Sequence, residues 1–163
     1  MKKILLISDT HGYIDDRIIQ YAKQSDETWH AGDIGELKVT DELKKVTTLR
    51  AVHGNIDNNR IRAEYPENLR FQIEEMKIWI THIGGYPNKY NQRIRQEINT
   101  NPPDIFICGH SHILKVINDK KLNVLHINPG AIGKHGFHHV RTMIRFEIMK
   151  SKIQNLEVIE FKR

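Results

Sequence analysis

Sulfur is scarce in this chain, with one cysteine, Cys108, among 163 residues. A lone cysteine excludes an internal disulfide framework and a cysteine-built zinc site. Long apolar runs are missing too, and no stretch approaches the ~20 residues that a membrane span requires. At the start, Met1-Lys2-Lys3 is followed by only four apolar residues before Ser8-Asp9. That is too short for the roughly 7–15-residue apolar core of a signal peptide. It reads as a first strand, and the protein is expected in the cytoplasm with no membrane partner. No linker, repeat or low-complexity tract is visible, so residues 1–163 are expected to form one domain of ordinary size. Lys plus Arg number 25 against 20 Asp plus Glu, a net charge of +5. The basic residues are scattered and never run five together, which argues against a nucleic-acid partner.

What the chain has in excess is histidine, ten in all. Imidazole is both a metal ligand and a proton carrier near neutral pH, so their placement matters. Short apolar runs alternate with amphipathic stretches in the first half, as in βαβ units. Strands are expected at 4–8, 27–31 and 49–53, with helices at 13–24 and 39–46, the latter capped by Thr40 or Asp41. Beyond Pro66 the pattern becomes strand-rich, at 69–73, 77–81, 104–108, 115–118, 123–127, 140–148 and 153–161. One helix is expected at 89–98, stopped before Pro102-Pro103, and Asp119-Lys120-Lys121 reads as a hairpin turn. Such a pattern suggests an α/β fold of two packed sheets with helices outside.

The informative regularity is how the apolar runs end. They close on Asp9-Thr10-His11-Gly12, Gly32-Asp33, Gly54-Asn55, His82 before Gly84-Gly85, Gly109-His110-Ser111-His112, and Asn128-Pro129-Gly130. Ligands of α/β sheets bind outside the carboxyl ends of strands. Glycine there lets the backbone turn sharply while the neighbouring side chain points inward. Asp9, His11, Asp33, Asn55, His82, His110 and His112 are all oxygen or imidazole donors. Seven exceed the three or four protein ligands that one zinc ion uses. Two ions sharing a carboxylate, roughly 3.5–4 Å apart, would use them all. With no sulfur among them, soft-metal specificity is not expected, and manganese, iron, zinc or nickel would suit them; the expected pair is Mn²⁺, with magnesium also open.

In their order, Asp-x-His, Gly-Asn and Gly-His-x-His among them, these motifs resemble the calcineurin-like metallophosphoesterase superfamily. Gly54-Asn55-Ile56-Asp57 is similar to its small, single-domain, YfcE-like phosphodiesterase branch. The resemblance runs from Lys3 to about Gly130 and implies a four-layer α/β/β/α sandwich, two mixed sheets with outer helices. It implies that Asp9, His11 and His112 hold one metal, that Asn55, His82 and His110 hold a second, and that Asp33 bridges them. The implied activity is hydrolysis of a small phosphodiester by a hydroxide bridging two divalent ions. The alternatives are a non-catalytic scaffold of the retromer-subunit type or a nuclease-like processing subunit.

Asp57, Asn55 and His82 are the candidate catalytic residues. Many superfamily members have a histidine where Ile56 stands, so the proton donor is unassigned. Asp57 is expected either near the substrate phosphate, repelling monoester dianions, or as a cap for Asn58 to Ala63. His30, His53 and His126 are expected to support ligands or pack in the core. His135, His138 and His139 are expected in a solvated loop, with Arg141 a candidate phosphate contact. Tyr86 to Asn91 and Gly133 to His139 are expected to shape substrate choice. Exposed edge strands could pair two copies into a homo-oligomer.

Overall fold

The computed structural model describes residues 1–163. Two five-stranded mixed sheets and four helices account for most of the chain. The first sheet contains β1 (Lys2–Ile7), β2 (Glu27–His30), β3 (Thr48–Ala51), β11 (Val140–Met149) and β12 (Lys152–Lys162), in the order β12-β11-β1-β2-β3. The second contains β4 (Asn68–Ile73), β5 (Met76–Thr81), β8 (Ile105–Ile107), β9 (Leu114–Asp119) and β10 (Val124–Pro129), in the order β4-β5-β8-β10-β9. Strands β1, β2 and β3 run parallel, as do β5, β8 and β10. The last two strands return to the first sheet, with β11 antiparallel to β1 and β12 antiparallel to β11.

The four layers follow from the alternation of side chains along each strand. Ile4 and Leu6 of β1 face the inter-sheet core, together with Ile78, Ile80, Ile105 and Ile107 of the second sheet. Leu5 and Ile7 face the other way, onto Ile18 and Ala22 of α1 (Asp16–Lys23), Val39 and Leu43 of α2 (Leu37–Lys44) and Ile61 of α3 (Asn59–Glu64). On the far side, Trp79 and Phe106 pack against Ile94 and Ile98 of α4 (Gln92–Thr100). Central strands covered on both faces are near-continuous apolar runs, which is why Ile4–Ile7 and Ile105–Cys108 show no polar residue.

The expected helices are present, with shifted ends. The second starts at Leu37 rather than Val39, with Glu36 at the cap position making no side-chain bond there. Thr40 does not cap it, and its hydroxyl instead donates to the Leu37 carbonyl. Helix α3 has too short an apolar pattern to be read from sequence; Asn58 caps it by accepting from the Ile61 amide. The segment before α4 forms a small hairpin of β6 (Gly85–Tyr86) and β7 (Lys89–Tyr90). No helix is long and apolar enough to cross a membrane.

Trp29 stands at the centre of the inter-sheet core. It is fully buried, meets Phe71 and Phe146 edge to face, and donates its indole N–H to Glu27. Trp29→Ala is expected to lower unfolding free energy by about 3–5 kcal/mol, through lost burial and the cavity left behind. Urea denaturation of metal-free protein, followed by far-UV circular dichroism, measures this.

Candidate metal centre

Parallel strands in both sheets point their carboxyl ends to one edge of the sandwich, where their terminal loops converge. The loop after β1 is zipped to the loop after β2. The Asp9 amide donates to Gly32, His11 to Asp33 and Gly12 to Ile34, at 3.0, 3.0 and 2.8 Å. This zipper holds an unusual backbone. Asp9, His11, Asp33, His110 and His112 all have positive φ, between 46° and 72°. Such conformations cost about 1–3 kcal/mol each outside glycine and persist only where the surroundings enforce them. Two glycines make the crowding possible. A Cβ on Gly54 would lie 2.1 Å from Asp33 Oδ1, and one on Gly109 would lie 2.1 Å from Ser8 Oγ.

Each carboxylate is half spent on the protein and half turned to the pocket. Asp9 Oδ2 accepts from Ser8 Oγ at 2.6 Å and from the His110 amide at 3.1 Å. Asp9 Oδ1 is buried with no hydrogen-bond partner. It lies 3.1 Å from His112 Nε2, 3.7 Å from His11 Nε2 and 3.9 Å from His82 Nε2. Asp33 Oδ1 accepts from the Ile56 amide, while Oδ2 lies 3.2 Å from His82 Nε2 and 3.5 Å from His11 Nε2. His110 Nδ1 lies 3.0 Å from Asn55 Oδ1.

The tautomers can be deduced from the second nitrogens. His82 Nδ1 donates to the Ala31 carbonyl at 2.8 Å, so the neutral ring presents a bare lone pair at Nε2. His138 Nε2 donates to the Gly133 carbonyl at 2.8 Å, so its Nδ1 is an acceptor. His112 Nδ1, 3.2 Å away, must then donate, leaving His112 Nε2 bare as well. Gly136 permits this arrangement, since a Cβ there would meet His112 Nδ1 at 2.3 Å. Metal-binding histidines are commonly oriented by such a bond on the other ring nitrogen.

Lone pairs of carboxylate and imidazole thus face one another across 3–4 Å. Asp9 Oδ1, His11 Nε2 and His82 Nε2 are buried and unpartnered. Leaving a buried polar atom unpaired costs about 1–3 kcal/mol, and a shared cation removes that cost. The donors sort into two groups of three, Asp9 with His11 and His112, and Asp33 with His82 and His110. Within each group the ligand atoms lie within 4.8 Å of one another. The field of the two carboxylates is visible in the ionisation of their neighbours. Burial opposes charging His82, yet Asp33 and Asp9 raise its pKa above the ordinary imidazole value. Burial would likewise raise Asp9, but the imidazoles of His11, His112 and His82 hold its carboxyl far below the usual range. The site fits divalent cations with mixed nitrogen and oxygen ligands.

All seven expected ligand residues therefore lie at this one edge, with Asn55 and His110 on its exposed side. The expectation that Asp57 faces a substrate phosphate does not survive. Asp57 is buried, and its carboxylate accepts from the amides of Ile34, Gly35 and Gly54 at 3.1, 2.8 and 2.7 Å. It ties the loop after β2 to the loop after β3, and Asn58 rather than Asp57 caps α3. Arg141 is also elsewhere. It is fully buried, donates to the Ile132 carbonyl and pairs with Asp15 at 3.2 Å. His53 Nδ1 donates to the Tyr65 carbonyl, and His126 packs near Cys108 below the site. Burial pushes the Cys108 thiol up to about 12, so it is inert.

An open cleft of about 500 Å³ covers the donors, lined in part by residues 135–138 and by none of residues 86–91. His138, expected in solvent, is the residue that sequence reasoning missed. The only signal was a crowd of histidines in one loop, and a loop has no periodicity from which to read direction.

A donor set of this kind on a four-layer sandwich points to a class, that of the metallophosphoesterases. The calcineurin-like phosphoesterase superfamily domain matches residues 1–151, and the chain belongs to that family. A probable metallophosphoesterase of Methanothermobacter thermautotrophicus is 27% identical over 133 residues, covering 77% of this chain and 74% of the relative. Among solved structures, Vps29 of Chaetomium thermophilum superposes with a TM-score of 0.77 at 14% identity, over 100% of this chain and 97% of that one. A novel archaeal phosphodiesterase superposes with a TM-score of 0.66 at 24% identity, covering 96% and 99%.

Two expectations follow. His30 is fully buried, accepts from the Gly32 amide through Nδ1 and donates from Nε2 to Thr10 Oγ1. Burial pushes its pKa down from 6.5 to about 4. The unfolded chain then binds more protons than the folded one between these values. The stability this contributes is complete above about pH 6.5 and is lost as pH falls towards 4, by about 3 kcal/mol in all. Urea unfolding of metal-free protein at pH 7.5 and pH 4.5 measures it, and the His30→Gln variant should lose correspondingly less. Separately, His138→Leu should weaken Mn²⁺ binding about 10–100-fold in calorimetric titration, while His138→Asn, which keeps an acceptor, should recover most of it.

Proposed function

We propose that this protein is a phosphodiesterase working with two divalent ions, manganese first. One observation carries the reading: six donors from distant loops meet in two groups of three, with three buried donor atoms lacking any hydrogen bond. Asp9, His11 and His112 would hold one ion and Asn55, His82 and His110 the other, with Asp33 between them. Asp33 Oδ2 lies near both His82 and His11, which supports that central position. Bound divalent ions supply an acidified water as nucleophile at neutral pH and counter-charge for the phosphate.

The chain's own residues set the rest. Asp9 and Asp33 bring two negative charges, while Asn55 gives a neutral oxygen and avoids a third. The loaded pocket therefore stays positive and attracts a phosphodiester monoanion. His110 and Asn55 are on the exposed side and Asp9 and His82 on the buried side. The phosphate thus arrives over His110 and Asn55, within the cleft. Ser8 and Ala31 keep Asp9 and His82 aimed at the pocket, and the buried His30 fills the space behind the loops that carry them. Asp57 holds the loops, with both carboxylate oxygens accepting backbone amides. The archaeal phosphodiesterase likeness supports the diester assignment. Vps29 shares the fold, and Vps29 of Entamoeba histolytica is described as complexed with Zn²⁺, so turnover, rather than metal binding, separates the phosphodiesterase from a scaffold.

Metal-stripped protein should be inactive on bis(p-nitrophenyl) phosphate and recover with Mn²⁺, with much slower turnover of p-nitrophenyl phosphate. Asp33→Asn should lower kcat/KM at least about a hundredfold and reduce bound metal. Activity that survives chelation, or that no divalent ion restores, would overturn the reading.

A further inference from the structure

The cleft over the metal centre has two properties that the donor set does not need. The first is what it lacks. The chain carries 25 lysines and arginines, yet none lines this cleft. Arg62 and Arg93 line a separate pocket that meets the site at Asn55 and His82. There Arg62 donates to the carbonyls of Gly54, Asn55 and Asp57, and Arg93 donates to the Ile83 carbonyl and Thr81. Within the larger cleft itself, a second phosphate or a carboxylate would find no fixed cation beyond the metal groups.

The second property is apolar. Ile56, Ile113 and Phe137 line the cleft and are 48%, 60% and 100% exposed. Each is next in sequence to a residue of the donor shell: Ile56 follows Asn55, Ile113 follows His112, and Phe137 precedes His138. The same backbone that aims the donors therefore places these side chains at the mouth. Large apolar groups gathered in the open mark a contact surface. Small-molecule sites combine such walls with a few convergent polar groups.

Building on the phosphodiesterase reading, we infer that one ester arm of the substrate is uncharged and apolar, an alkyl or aryl group lying over Ile56, Ile113 and Phe137. The phosphate monoanion meets the metal groups and the arm covers the rim. Nucleic acid and nucleoside polyphosphates are poor candidates, because their further phosphates would sit against a wall without cations.

Calorimetric titration of Mn²⁺-loaded protein tests this with three phosphinate monoanions that have no ester bond to hydrolyse: methyl(phenyl)phosphinate, dimethylphosphinate and 2-carboxyethyl(methyl)phosphinate. The phenyl compound should bind at least about tenfold tighter than the dimethyl compound, and the carboxyethyl compound most weakly. Phe137→Ser and, separately, Ile113→Ser should each shrink the phenyl-to-methyl ratio. Both positions are exposed, so unchanged unfolding midpoints are expected to accompany the effect. Equal affinity for the phenyl and dimethyl compounds, a preference for the anionic arm, or no binding would overturn the inference. The two readings separate cleanly. Turnover of an aryl diester without arm preference sinks the rim alone. Arm preference in a protein that hydrolyses no diester sinks the phosphodiesterase reading and leaves an apolar phosphinate-binding cleft.

Discussion

Everything at the functional edge depends on repulsion held in place. Two carboxylates and their neighbouring imidazoles direct lone pairs into one small, largely buried volume. Asp9 Oδ1 and His112 Nε2 stand 3.1 Å apart, and Asp9 Oδ1, His11 Nε2 and His82 Nε2 make no hydrogen bond. Left to themselves these groups would turn outward to water. They stay because the other polar atoms of Asp9, Asp33, His82 and His112 are already engaged. Ser8 and the His110 amide hold Asp9, the Ile56 amide holds Asp33, Ala31 holds His82, and His138 holds His112.

That arrangement costs conformational energy, and the fold absorbs it. Five of the candidate ligand residues sit in the left-handed region, which regular helix and strand backbone does not supply. Short loops between buried strands can, because the strands fix both ends and hydrogen bonds join loop to loop. Asp57 belongs to this supporting structure. Its three amide bonds brace two of the loops from beneath, which gives a structural role to a carboxylate beside the candidate ligands. The apolar rim is a by-product of the same economy, since each rim residue shares backbone with a donor or its support.

Much of this was legible in the sequence. The four-layer architecture followed from fully apolar runs at Ile4–Ile7 and Ile105–Cys108, flanked by amphipathic stretches. The donor residues were legible because a polar residue beside glycine at the end of an apolar run is a local signature. The assignments that went astray share a cause. Asp57, Arg141 and His138 lie in segments with no period, where the chain does not say which way a side chain turns. Asp57 turned down to amides, Arg141 turned in to Asp15, and His138 turned to His112. Similarly, nothing local told β11 and β12 to join the first sheet rather than the second.

The sequence by itself determined which groups could bind cations and where along the chain each would stop, because residue chemistry and strand alternation are local properties. Only the tertiary structure decided which lone pairs meet, which tautomers are forced and which charged side chains are already satisfied. Those outcomes depend on contacts between residues as far apart as Asp9 and His110, joined at 3.1 Å across most of the chain. Such contacts form only when two sheets pack and their parallel strands end together.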